Sequence, residues 1–380
     1  MRRFDVIVVG AGGMGAAAAA HLASRGVSVI ALDRHPPGHG RGSSHGQTRL
    51  FRIAYYEHPD YVPLLRRARD AWLTLEAETG ERLFTPSGLV AAGPPAGEVI
   101  VGTLAAARAH GLAIERLPSR AAIGRWPAFA MPDGWEAVHE ADAGHLAVEA
   151  CVRAHAGLAE RHGAVIEAGH DVRDWRAEGD GVVVETARES FAAGRLVLCP
   201  GAWATGLVRL EDIIFTVLRK SLFWYAPAGG LTPAAAAGLP AFAFDTPRGF
   251  FYGFPQLDPR GVKVAEHTGG RSVADPFVVD RRIDREEQAR IETWLAAHLP
   301  GVGRTRTAHE VCLYTMSPDG HFVVGLHPHH TRVAVAVGFS GHGFKFASVM
   351  GEVLADLALD GATRHPIGFL SPTRFARPAA

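Results

Sequence analysis

Four groups of residues in this sequence have the types and spacing to do chemistry. The first is Gly10-x-Gly12-x-x-Gly15 with Asp33 behind it. Gly10 permits a tight turn, Gly12 lets a pyrophosphate approach the backbone, and Gly15 lets a helix pack against a strand. Free N–H groups at the helix start face the phosphates, where the helix dipole favours negative charge. Asp33 is placed to accept a hydrogen bond from a ribose hydroxyl. This is dinucleotide-binding chemistry, and the motif leaves FAD and NAD both open. The second group is Arg49 and Arg52. Three apart, they would share one face of a helix, as a solvated basic face or as an anion site. In the third, Lys263, Ala265 and His267 alternate onto one strand face, beside a strand presenting Phe250, Tyr252 and Phe254. That face either lines a reaction pocket or is a solvated edge. The fourth is a second glycine-rich turn, residues 338–346, which aims another helix start near the C-terminus.

These groups need elements to hold them. The apolar run over 6–9 reads as a strand entering the first turn. An alanine-rich helix over 16–22 leaves it, and a second strand over 27–32 closes at Asp33. Strand, turn, helix, strand and acid in that order separate a nucleotide fingerprint from a packing turn. Residues 34–46 are rich in Pro, Gly and Ser, an irregular segment of the length that often carries function. Helical spacing recurs over 61–79, 99–110, 148–162, 285–298 and 347–359. Residues 117–132 are interrupted by prolines, and 138–146 read as a solvated loop. Strands over 165–168, 182–186 and 195–199 follow. The last ends in a turn at Gly201 and Trp203, which suggests a return to the parallel sheet beside the nucleotide. Strands over 215–225, 250–254 and 262–268 open another region. Residues 322–326 and 332–337 form a hairpin, and the alanine patch 234–237 carries no functional content. Fingerprint-like turns at both ends imply a discontinuous nucleotide domain with the other domain inserted.

The chain has 380 residues, enough for two domains, and nearly half of them are apolar. Lys plus Arg equals Asp plus Glu, so the formal charge is zero, which argues against bulk nucleic-acid or anionic-membrane binding. No apolar run is long enough to span a bilayer. Arg2-Arg3 does not start a signal sequence, because Asp5 interrupts it and the short apolar run ends in the nucleotide turn. A soluble, cytoplasmic protein is expected. Cys151, Cys199 and Cys312 are too sparse for a disulfide framework or a zinc site. Cys151 and Cys199 read as small buried hydrophobes. Glu140, Asp142 and His145 lack a standard ligand spacing, and His327, His329 and His330 sit in a turn with Pro328 as exposed residues. No metal site is expected.

Together the motifs resemble the monomeric sarcosine oxidase and N-methyltryptophan oxidase family of flavoprotein amine oxidases. The resemblance covers nearly the whole length. It rests on residues 10–15, on Gly42-Ser43-Ser44-His45-Gly46-Gln47-Thr48-Arg49 with Arg52, on Cys312-Leu313-Tyr314-Thr315 with Pro318-Asp319, and on Gly338-Phe339-Ser340-Gly341-His342-Gly343-Phe344-Lys345.

It implies FAD rather than NAD, and an α/β fold: a Rossmann-like FAD-binding domain (1–83, 139–208 and 310–380) with an inserted antiparallel-sheet substrate domain (84–138 and 209–309). It implies that Cys312 carries the flavin through the 8α carbon. Arg52 and Lys345 resemble the pair that holds a substrate carboxylate, and Lys263 the lysine that helps oxygen accept electrons. His267, Tyr252 and Tyr314 match pocket positions, and Arg49 an arginine near the flavin. Arg34, Ser43, Ser44, Thr48, Gly201, Trp203, Gly341 and Gly343 join the cofactor site, with the helix start near Lys345 favouring reduced, anionic flavin. The implied reaction oxidises a secondary amine to an imine, with oxygen reduced to hydrogen peroxide, in a protein acting as a monomer. Lys220, Ala243 and residues 209–217 depart from the family pattern and leave the identity of the amine open. A flavin dehydrogenase with another acceptor and a non-catalytic FAD-binding subunit remain as alternatives.

Overall fold

The structure is a computed structural model, and it describes residues 1–227, 232 and 238–376. An eight-stranded sheet carries the first glycine turn. Arg2–Val9 runs parallel to Ser190–Leu198 on one side and to Val29–Asp33 on the other. Val165–Ala168 extends the parallel set beyond Val29–Asp33, and His330–Val337 lies parallel to Ser190–Leu198. Residues 6–9 are buried without alternation, as strands covered on both faces should be. The helices Gly13–Ser24 and Ala347–Asp360 pack so closely that a Cβ on Gly351 would lie 2.6 Å from the Ala17 carbonyl carbon. Small residues at this contact explain the alanine-rich sequence of the first helix.

The second sheet has nine strands. Near one edge Thr216–Pro227 pairs antiparallel with the 15-residue strand Val302–Met316 and with Val262–Glu266. Gly249–Phe254, Ala241–Thr246, Leu89–Gly93, Glu136–Glu140 and Glu115–Pro118 continue outward in that order. Helix Arg285–His298 covers one face. Asp284 caps it by accepting from the Glu286 and Glu287 amides, and Trp294 stacks on Phe242 and Phe251. A three-stranded sheet of Thr48–Phe51, Gly144–Ala147 and Phe84–Thr85 completes a mixed α/β fold.

Several expectations are corrected. Arg49 lies in the strand Thr48–Phe51, so it and Arg52 share no helix face. Residues 138–146 are not a solvated loop: the strands Glu136–Glu140 and Gly144–Ala147 occupy most of that stretch. Glu140 is buried there because its carboxylate accepts from the Ile53 and Ala54 amides. His145 is buried too, and burial with Lys263 nearby lowers its pKa to about 4. His327 is also buried, its Nε2 at 3.0 Å from the Val208 carbonyl oxygen. The helix Ser119–Arg125 lies within the proline-interrupted stretch. Cys151 and Cys199 are buried as expected, and the patch 234–237 lies outside the described residues. Among the described residues no helix is long and apolar enough to cross a membrane. The one cluster there that could reach a metal is Glu167, His170 and Glu189, where Arg2 already pairs with Glu167.

Candidate active site

The first glycine turn opens a cavity of about 1010 Å³. Gly10 has φ +94°, a conformation that favours glycine, and a Cβ on Gly15 would lie 1.7 Å from the Gly10 carbonyl oxygen. Gly15 therefore serves packing and does not line the cavity, whereas Gly10 and Gly12 do. Gly13 donates its amide to Ser44 Oγ at 3.1 Å, which ties the irregular segment to the helix start. Asp33 accepts from the Ala11 amide at 2.7 Å and from the His35 amide at 2.9 Å. It holds the turn and keeps further lone pairs for a ribose hydroxyl. Asp33, Arg34, Ser43, Ser44, Gly201 and Trp203 line the same cavity, as do Gly341, Gly343 and Tyr314. The buried atoms Trp203 Nε1 and Thr315 Oγ1 have no partner within the protein, although both residues line the cavity. Buried polar groups are normally paired, so a large ligand with polar groups along its length fits here. A dinucleotide has that length and chemistry, and the cavity is at the upper end of ordinary ligand sites.

A second cavity of about 50 Å³ abuts the first, and Arg49, Tyr314, Gly341 and Phe344 line both. Arg52, Tyr252, His267 and Lys345 line the smaller one. Strand pairing delivers three of its walls: Tyr252 from Gly249–Phe254, His267 just beyond Val262–Glu266, and Tyr314 from Val302–Met316. His267 Nδ1 is 3.3 Å from the Tyr314 hydroxyl. Burial, then His342 and Lys220, lowers the His267 pKa to about 3, so its imidazole is neutral at working pH. Lys220 anchors this wall from behind, donating to the carbonyls of His267, Thr268 and Gly269 at 2.6–3.0 Å.

Glu57, which the sequence reading missed, lines the same pocket and takes both oxygens to Arg52 Nη2, at 2.7 and 2.8 Å. Arg52 also lies over the rings of Tyr55 and Tyr56. Burial alone would raise the Glu57 pKa, but Arg52, His342 and Lys345 outweigh it and the net shift is down. Tyr55, Tyr56 and His342 were missed as well. The Tyr55 hydroxyl is 2.6 Å from His342 Nδ1 and 3.3 Å from Lys345 Nζ. Apart from His342, which lies in the second glycine-rich turn, no local pattern marks these residues. The only signal was an acid five positions from Arg52, after two tyrosines.

Lys345 donates to the His342 carbonyl at 2.6 Å, and its pKa is lowered to about 7 by burial first and Arg52 second, with Glu57 opposing. Anion capture needs the ammonium form, which dominates below pH 7 and is lost above it. The affinity of the free enzyme for a carboxylate ligand is therefore expected to weaken as pH rises through about 7. Lys345→Arg should flatten that limb, because a guanidinium keeps its proton. Calorimetric titrations of a carboxylate ligand across pH check both points.

Thr48, Lys263 and Cys312 line neither cavity. Lys263 is 1% exposed, with Nζ 2.5 Å from the Gly46 carbonyl, 2.9 Å from the Thr48 carbonyl and 3.2 Å from Thr48 Oγ1. Burial and then Arg49 push its pKa well down. Cys312 Sγ is buried behind the wall, where Arg49 Nη2 approaches it at 3.1 Å. Arg49 also donates to the Ser43 and Thr48 carbonyls, so one guanidinium ties the sulfur to both cavities.

The sequence profile of the FAD dependent oxidoreductase family matches residues 5–357. The chain is 39% identical over 377 residues to monomeric sarcosine oxidase of Bacillus sp. (strain NS-129), covering 98% of this chain and 97% of that one. It is 33% identical over 364 residues to N-methyl-L-tryptophan oxidase of Citrobacter koseri, covering 94% and 95%. Among solved structures, the open form of NikD, described as an unusual amino acid oxidase essential for nikkomycin biosynthesis, superposes with a TM-score of 0.85 at 27% identity over 98% of both chains.

Proposed function

Because this chain belongs to the FAD-dependent oxidoreductase family, with the monomeric sarcosine and N-methyltryptophan oxidases among its relatives, we propose that it oxidises the C–N bond of an N-substituted amino acid. It is an FAD-dependent amine oxidoreductase. The secondary amine loses two electrons and two protons to become an imine, and oxygen takes them up as hydrogen peroxide. One observation carries the substrate class: a small pocket with Arg52 and Lys345 on its wall opens against the cofactor cavity through Arg49 and Tyr314. Two buried cations suit a carboxylate, which the guanidinium can bind in bidentate fashion.

FAD, when bound, supplies the two-electron acceptor, and the protein supplies position and charge. Gly10, Gly12, Ser44 and Asp33 would hold its nucleotide end, and Trp203 and Thr315 offer their unpaired polar atoms along the way. Arg52 and Lys345 draw the substrate carboxylate in, with Glu57 giving up part of its hold on Arg52. His267 and Tyr314 face the amine as neutral groups that orient it without adding a charge. The amine must shed its proton before it reacts, so kcat should rise towards alkaline pH. Lys263 places a cation behind Thr48, where negative charge on oxygen would be stabilised. We assign residues 1–83, 139–208 and 310–380 to the cofactor and 84–138 and 209–309 to the substrate, in a single working chain.

A panel of N-methyl and cyclic amino acids read by peroxide release tests this function. Turnover with an artificial acceptor but no peroxide would favour a dehydrogenase. We further propose that Cys312 carries the flavin covalently, since the sulfur is fixed beside Arg49. Acid precipitation of the yellow protein should leave the flavin with the pellet, and Cys312→Ser should release it to the supernatant.

A further inference from the structure

We propose that Glu149 is the positioning residue for Lys263, acting through the backbone turn at Gly46 and Gln47. This rests on the reading of Lys263 as the oxygen-facing cation. Glu149 lies in the first turn of helix Val148–Arg161, yet its carboxylate serves another segment. Oε1 accepts from the Gly46 amide at 2.7 Å and from the Gln47 amide at 3.1 Å, and Oε2 approaches the Gln47 amide at 3.2 Å.

The clamped turn is strained. Gly46 has φ +89° and Gln47 has φ +72°, one of three non-glycine residues with positive φ among those described. The Thr48 amide bonds back to the Gly46 carbonyl at 2.9 Å, and this i→i+2 closure about a positive central φ is a rare and costly turn. Such a conformation persists only where its surroundings over-determine it. Here they do: the Val148 amide takes the Gln47 carbonyl, and the Gln47 side chain is held by Trp224 and Asp258. A side chain at position 46 is disfavoured by the positive φ, and a Cβ there would also displace Leu222 Cδ1, which lies 2.4 Å away.

The outcome of the turn is geometric. It aims the Gly46 and Thr48 carbonyls at one point, which Lys263 Nζ occupies. The rings of Phe254 and Trp224 stand 5.0 and 5.5 Å from that nitrogen. Without the clamp the turn can relax to an ordinary conformation, and the two carbonyls part. The carboxylate also sets a negative charge near an ammonium that burial and Arg49 both oppose. Sequence spacing hides this link, because Glu149 reads as an ordinary acid at a helix start.

The test uses the holoenzyme with Glu149→Ala, Glu149→Gln, Lys263→Met and the double variant Glu149→Ala/Lys263→Met. Hydrogen exchange over residues 43–50 reads the clamp directly. The flavin is reduced with dithionite, so that reoxidation by oxygen is timed without any amine. The Gly46 and Gln47 amides should lose protection in Glu149→Ala, and reoxidation should slow about 10- to 100-fold, the loss usual for a supporting hydrogen-bond partner. Glu149→Gln, which keeps acceptor oxygen but not charge, should fall between and guards against a misfolded alanine variant. The Glu149→Ala loss should vanish when Lys263 is already methionine, because a residue acting through another is non-additive with it. Unchanged reoxidation, or a loss that multiplies with that of Lys263→Met, overturns the inference. Normal reoxidation of Lys263→Met itself would remove the oxygen reading along with it, whereas failure of every amine to reduce the flavin would strike the amine reading alone.

Discussion

In Lys263→Met, reduction of the flavin by substrate is expected to stay within a few-fold of the parent, while reoxidation by oxygen is expected to slow by about 10²–10³-fold, the usual loss for one preorganised polar group. The asymmetry follows from placement. Lys263 does not line the substrate pocket, so substrate binding loses nothing directly. Oxygen, in contrast, would gain negative charge as it is reduced, and under the proposed role a Lys263 ammonium, favoured by Glu149 and Glu310 against burial and Arg49, would stabilise that charge without reorganising. Methionine fills a similar volume between Trp224 and Phe254, so packing changes little. The variant does remove the lysine donor from the Gly46 and Thr48 carbonyls, which keep the Thr48 amide and Arg49 as partners, at a cost of about 0.5–1.5 kcal/mol for each hydrogen bond lost. A lower melting temperature is therefore expected together with the slow reoxidation. Stopped-flow measurement of the two half-reactions separates the effects: equal slowing of both would mean that Lys263 is structural only.

Arg52 and Glu57 give the other large effect, with opposite signs. Arg52→Met removes the guanidinium and strands Glu57 as a buried carboxylate. Breaking a buried charge pair of this kind costs about 2–4 kcal/mol, or roughly 30- to 1000-fold in KM, if the substrate carboxylate uses the same guanidinium. Glu57→Gln should instead lower KM modestly. Its carboxamide no longer competes as an anion for Arg52, while the neutral His267 and Tyr314 are untouched. A carboxylate bound elsewhere would make Glu57→Gln silent and leave only a stability defect in Arg52→Met. Steady-state kinetics with thermal melts on both variants distinguish these cases.

The nucleotide turn was legible because everything that defines it is local. An apolar strand, three glycines and an acid fall within 33 residues, and the spacing itself states the geometry. The sites that misled have their cause at a distance. Arg49 and Arg52 fit a helical spacing, but residues 48–51 are a strand because they pair with Gly144–Ala147, nearly one hundred positions later. Residues 138–146 looked like a solvated loop because Glu140, Asp142 and His145 are polar. Glu140 is buried by amides of residues 53 and 54, which no periodicity can report. His327 was misjudged for the same reason, since its partner is a carbonyl in another segment. Glu57, His342 and Lys220 act through three-dimensional contacts alone. Strand alternation singles out Lys263 and the second glycine-rich turn brings in Lys345, but only the family resemblance gives a proposed role to Cys312, Lys263 and Lys345.

The strand Val302–Met316 has a consequence for the order in which the molecule is made. It sets Tyr314 and Thr315 into the cofactor cavity and Cys312 just behind its wall, and it is placed by pairing with Thr216–Pro227. Gly10, Gly12 and Gly13 from the start of the chain and Gly338, Gly341 and Gly343 from its end line the same cavity. A chain growing from its N-terminus therefore carries a complete phosphate turn long before it has a place for the rest of the ligand. Non-local pairing of this kind is slow to form. Capture of the whole ligand is therefore expected only after residues 314–344 have been made and packed near the glycine turn.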